Sequence, residues 1–192
     1  VSSTKLIFRF SQIFWGLFIV MLDFSFNGFD LLPDGIGYLL MAAGCYGLAS
    51  LSPRFLMAQT LCLILALLWL IHFAIDGSSA ILFNFVRQVT NCVMIWQLLG
   101  GIREFALSKE RPDLARRAEN RRLAYVAIMV VTFLLTLAME GSPEASPLAF
   151  VLALAMLILL IMILHLIHRV KTVLAIAETV NQAVSEQSDL SC

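Results

Sequence analysis

Charge is scarce in this sequence. Of its 192 residues, 14% are Asp, Glu, Lys or Arg, while 60% are hydrophobic and the mean hydropathy is +0.91. Soluble domains carry roughly a quarter charged residues, and a chain this short has no core large enough to enclose so much apolar surface. The scarcity of charge therefore excludes an ordinary soluble domain and predicts an integral membrane protein. Cysteine is sparse as well. Cys45, Cys62 and Cys92 lie inside apolar runs and Cys192 is the last residue, so there is no CxxC spacing or secreted disulfide framework, and these side chains read as small hydrophobes. Histidine gives no metal site: His165 and His168 are spaced i, i+3 without a third ligand in register. HExxH, GxSxG and P-loop patterns are all missing. No catalytic residue and no cofactor are assigned, and nucleic acid is not an expected partner.

What the sequence does have is long apolar runs. Six are separated by charged or turn-forming breaks, at about 10–26, 34–51, 55–75, 78–102, 123–139 and 147–167. About 20 helical residues cross the hydrocarbon at roughly 1.5 Å each. The runs are continuous rather than alternating, which favours helices over a barrel. The expectation is an all-α bundle of six transmembrane helices forming one domain over 1–171. A basic loop at 103–122 and an amphipathic tail at 172–192, fraying from Ser185, complete it. The apolar stretch after Lys5 and Arg9 starts as a signal peptide does, but no small-x-small cleavage site follows, so it is read as a retained first span.

The basic residues sort by side. If there are six spans, 12 of the 13 Lys and Arg fall on one face, seven of them in the 103–122 loop. The other connections hold Asp30, Asp76, Glu140 and Glu144, with Asp23 and Asp34 at their edges. The positive-inside rule then places both termini in the cytoplasm. The 103–122 loop, whose 114–122 portion reads as a short helix capped by Asp113, has two readings: contact with anionic lipid, or simple topology setting.

Three features carry candidate chemistry. First, Asp30 and Asp34 flank Pro33 where the second helix begins, a position suited to N-caps and to the positive end of the dipole. Gly35, Gly37, Gly44 and Gly47 give that helix a small-residue face for close packing. Second, Arg87 stands alone inside the fourth span, where insertion costs about 2.5–3.5 kcal/mol unless protein or water receives it. With Asn84, Gln88 and Asn91 it forms an i, i+3, i+4, i+7 stripe. Asp34 is its first expected partner, with Asp30 a turn away, and Asp23 and Asp76 behind them. Third, His72 and Asp76 are spaced i, i+4 and form a weaker proton-relay pair. Thr132, Thr136 and Glu140 share one face of the fifth helix and are read as packing positions.

The segment Leu22-Asp23, then Asn27-Gly-Phe-Asp-Leu-Leu-Pro-Asp-Gly-Ile-Gly-Tyr38, resembles a motif in small uncharacterised multi-pass bacterial membrane proteins. The likeness spans some 30 residues. It implies Asp23, Asp30, Pro33, Asp34, Gly37 and Tyr38 as signature positions and the bacterial inner membrane as the location; the family brings no established activity.

Two functional readings follow. One is a transporter-like protein binding a polar or anionic solute at Arg87, Asn84, Gln88 and Asn91, with Asp30 and Asp34 at the entrance. The other is a non-catalytic scaffold or subunit in which these residues only lock helices, with the lipid bilayer and a further copy or membrane protein as partners. An intramembrane enzyme built on His72 and Asp76 ranks last.

Overall fold

The computed structural model describes residues 3–22, 25–26, 29–30, 34–72, 80–138 and 146–189. Six helices follow one another: α1 Ser3–Leu22, α2 Asp34–Leu48, α3 Pro53–His72, α4 Ala80–Ser108, α5 Pro112–Ala138 and α6 Ser146–Asp189. Between α1 and α2 lies a minimal antiparallel hairpin, β1 Ser25–Phe26 against β2 Phe29–Asp30. The sequence reading had no hairpin there, although Asn27-Gly28 is a residue pair that two-residue hairpin turns favour. All-α architecture holds. Three helices, α1, α3 and α6, are long and apolar enough to cross a membrane; α2, with 15 residues, is only about 22 Å long.

Each helix packs on its neighbours in sequence, and α6 returns to α1, so the bundle closes as a ring. The pairs run antiparallel. Gly37 of α2 lies on Gly16 and Val20 of α1, while Gly44 lies on Ile13 and the Arg9 carbonyl, so one chain climbs as the other descends. The small-residue face is the reason these two backbones come so close: a Cβ on Gly16 would sit 2.6 Å from the Gly37 carbonyl oxygen and 2.5 Å from Met41 Cγ. Gly35 instead accommodates the Trp69 ring of α3, and Gly47 the Arg9 side chain. On the far side of the ring, Asn91 and Gln88 of α4 meet Tyr125 and Met129 of α5, and Phe14 of α1 meets His168 of α6.

The basic residues gather at one end of the ring. There the interior is solid. Phe10 of α1 touches Phe55 of α3 (centroids 6.4 Å, edge-on) and Phe105 of α4 (5.5 Å), joining three walls across the centre. Leu48, Leu98, Leu99, Ile102, Ala118 and Ile167 fill the rest of this end and are fully buried.

Helix ends explain where the spans differ from the hydropathy reading. Ser52 caps α3, its Oγ accepting the Arg54 N–H at 3.1 Å, and Pro53 takes the first helical position. At the end of α4, Arg111 N–H reaches the Ala106 carbonyl (2.9 Å) and Glu110 N–H the Leu107 carbonyl (3.0 Å), a Schellman closure with Glu110 at φ 55°. Pro112 then opens α5 with Asp113 in its first turn. The 103–122 segment is therefore no loop: α4 runs through to Ser108, and a short turn delivers the rest to a continuous α5. Apolarity marks only where lipid is met, whereas helical hydrogen bonding continues past it. For the same reason α6 runs unbroken to Asp189, beyond the expected fraying point at Ser185.

Candidate functional site

At the end opposite the basic residues, the core stops short. The last enclosed side chains are Leu65 on α3, Met94 on α4, Met129 on α5 and Leu159 on α6; beyond them no described residue of these four helices is buried. The stripe on α4 sits in this upper half. Asn84, Arg87 and Gln88 are exposed and Asn91 is half-buried.

Which way the stripe faces follows from helix geometry. At about 100° per residue, Asn84, Gln88, Asn91, Ile95, Leu98 and Ile102 all lie within about 80° of arc, and Arg87 adds about 20° to it. Ile95, Leu98 and Ile102 are buried in the ring interior. The polar stripe is thus the upward continuation of the core-facing side of α4. Phe85, Val86, Val89 and Val93, all exposed, occupy the other side. Two contacts confirm the direction: Asn91 Nδ2 donates to Tyr125 Oη at 3.2 Å, and Gln88 Nε2 to Met129 Sδ at 3.4 Å.

Across the ring, α2 supplies the facing group. Tyr38 is 5% exposed, and Asp34 lies one turn above it at the first residue of α2. Helices α2 and α4 do not pack on each other. Tyr38 and Tyr125 are buried in the core, and Asn91 is half-buried against Tyr125. The upper half of the ring carries the guanidinium of Arg87, the carboxylate of Asp34 and the amides of Asn84, Gln88 and Asn91.

Two expectations are corrected here. Arg87 is exposed, and the buried core of α3–α6 ends about two turns away. It forms no ion pair among the described residues, so the expected direct Arg87–Asp34 pair is not found among them. Asp30 lies on β2, not a turn before Asp34 on one helix face. Asp23, Pro33, Asp76 and Glu140 fall outside the described residues, so the His72–Asp76 pair does too, although His72 ends α3. Gly37 is a packing position against α1. Thr132 returns its hydroxyl to the Ile128 carbonyl at 2.8 Å, as read. No group of three or more His, Cys, Asp or Glu suited to a metal occurs among the described residues.

Sequence reasoning missed Tyr125, which sits on the core face of α5 with Ala118 and Met129. It also missed a polar cluster at the basic end. Arg54 Nε–H and Ser52 Oγ–H both donate to Glu104, each at 2.5 Å, and these two hydrogen bonds hold the Glu104 carboxyl below the usual glutamate range. Arg103 and Arg122 converge on Glu119 at 3.5 and 3.3 Å, and the Arg122 guanidinium stacks 3.4 Å over Trp96. A helical-wheel projection of 118–129 signals Tyr125; pairings between α3 and α4 or α4 and α5 need the fold.

Comparison with protein-family models, with curated proteins and with solved structures returns no match to this chain.

Proposed function

We propose that this is a multi-pass membrane protein of the bacterial inner membrane that binds a small polar solute with an anionic group in the upper half of its helical ring, in a transporter-like manner and without catalysis. The observation that carries it is the position of Arg87: it continues the core face of α4 yet is exposed. A guanidinium left in hydrocarbon would cost about 2.5–3.5 kcal/mol; one lining a water-filled space costs less and is available to a ligand. Arg87 receives the anionic group, Asn84, Gln88 and Asn91 supply neutral hydrogen bonds, and Asp34 and Asp30 stand towards the opening.

All six helices cross the membrane in this reading. That α1 and α3 are long and apolar enough to span, and that α2 packs along α1 from Gly37 to Gly47, supports a course for α2 beside them. Antiparallel packing extends the same reasoning to α4 and α5. The basic end, with both termini, is then cytoplasmic, and the Arg87 space opens outward.

A second reading has an observation of its own. Asn91 to Tyr125 and Gln88 to Met129 fasten α4 to α5, as a scaffold would require. Thermal unfolding of the purified protein, screened against small carboxylates, phosphate and zwitterions, separates the two. Solute binding predicts a raised midpoint with at least one class, lost in Arg87→Met while the variant alone unfolds near the wild-type temperature. No stabilisation by any class, with Arg87→Met still folded, contradicts binding and leaves the scaffold.

A further inference from the structure

A second cluster of cations lies at the other end of the ring. Arg121 sits on α5 just before the apolar run that starts at Leu123, and Arg169 on α6 just after the run that ends at Ile167. Where α5 and α6 are packed together, these positions mark one level, the boundary between apolar and polar surroundings. Arg121 is 8% exposed, and its Nη1 is buried with no hydrogen-bond partner. Arg117, one turn earlier on α5, and Arg169 are exposed. Among the described residues none of the three forms an ion pair; the nearest acid in sequence, Glu119, is taken by Arg103 and Arg122.

Burial first, and then the charges of Arg117 and Arg169, lower the affinity of the Arg121 guanidinium for its proton. Arg117 and Arg169 thus add positive charge near the buried Arg121, and among the described residues no carboxylate pairs with it. A buried donor without a partner costs roughly 1–3 kcal/mol, and more when charged. Such an arrangement is stable when something anionic completes it. Guanidinium forks match the oxygens of a phosphate, which accepts several such donors at once, and phosphate is the anion that a membrane presents at this depth.

We propose that Arg117, Arg121 and Arg169 form a phosphate site between α5 and α6, filled by the phosphodiester of an anionic lipid headgroup. The site is separate from Arg87 and stands or falls without it. It narrows the lipid contact expected of the whole 103–122 segment to two of that segment's arginines and one on α6.

The test uses the full chain in nanodiscs of phosphatidylcholine alone, of phosphatidylcholine with phosphatidylglycerol, and of phosphatidylcholine with millimolar inorganic phosphate, read by thermal unfolding and by lipid retained on detergent extraction. Phosphatidylglycerol should raise the midpoint and be retained. Arg121→Gln, or Arg117→Gln with Arg169→Gln, should weaken retention roughly fivefold per arginine removed, while Lys109→Gln with Arg116→Gln leaves it unchanged. Stabilisation by inorganic phosphate with the same dependence on the three arginines keeps the site and assigns it to free phosphate. No stabilisation by either, or equal loss in the Lys109/Arg116 control, overturns it. If Arg121→Gln fails to fold, the exposed pair Arg117 and Arg169 carries the test.

Discussion

Glu104 is held by two donors at once. Arg54 supplies one from its side chain and Ser52 the other, while the same Ser52 oxygen caps α3. The carboxylate thus ties the start of α3 to the end of α4, and its folded pKa lies below the ordinary value of about 4.3. A depressed pKa contributes stability that is fully present above the unfolded value and is lost as pH falls through the folded one. The wild-type midpoint should therefore drop as pH goes from 5 towards 3, whereas Glu104→Gln should start lower at pH 7 and drop less. Parallel pH profiles for the two proteins would show that Glu104 carries none of the acid sensitivity. At this scale the sequence was legible where a residue is anomalous in its surroundings. Arg87 stood out among apolar neighbours, and its stripe was visible from spacing alone. Arg121 was not distinguishable, because it is one of seven similar residues in a short basic segment, and only packing shows that it alone among the three clustered arginines is buried.

Helices α1 and α2 approach so closely at Gly16, Gly37 and Gly44 that a Cβ at each would lie within 2.9 Å of a backbone oxygen of the other helix. Association of apolar helices in lipid rests on packing rather than on the hydrophobic effect, so these positions set the stability of the pair. Gly16→Ala places a methyl against backbone, which has nowhere to go, and should cost about 1–3 kcal/mol. Gly47→Ala meets only the Arg9 side chain, which swings aside, and should cost well under that. A guanidinium with no other rotamer would make the two variants equal in unfolding assays. The end of α4 supplies a change of opposite sign. Glu110 occupies the left-handed region at φ 55°, which costs a residue with a side chain roughly 1–2 kcal/mol. Glu110→Gly should therefore stabilise the protein by up to about 1 kcal/mol, and a lowered midpoint would show that the glutamate side chain contributes more than the strain. Helix existence was readable from the apolar runs; helix length was not. Hydropathy follows what faces lipid, and α5 begins eleven residues before its apolar run because Pro112 and Asp113 start a helix in polar sequence.

The ring as a whole divides into a half filled by buried side chains and a half in which no described residue of α3–α6 is buried. The aromatic junction of Phe10, Phe55 and Phe105 closes the basic end, and the face of α4 that is apolar there turns polar above Met94 as it becomes exposed. Periodicity revealed that face, but its accessibility depends on how far the neighbouring helices fill the interior, which no single helix encodes. The most direct measurement is cysteine accessibility in a chain with Cys45, Cys62, Cys92 and Cys192 replaced, embedded in vesicles of known sidedness. A membrane-impermeant thiol reagent added on the side away from the basic end should label Asn84→Cys and Arg87→Cys, and leave Val86→Cys on the opposite side of the helix and Leu98→Cys in the core unmodified. Labelling of Val86→Cys as fast as Arg87→Cys, or of Arg87→Cys only from the basic side, would contradict a polar interior open at that end.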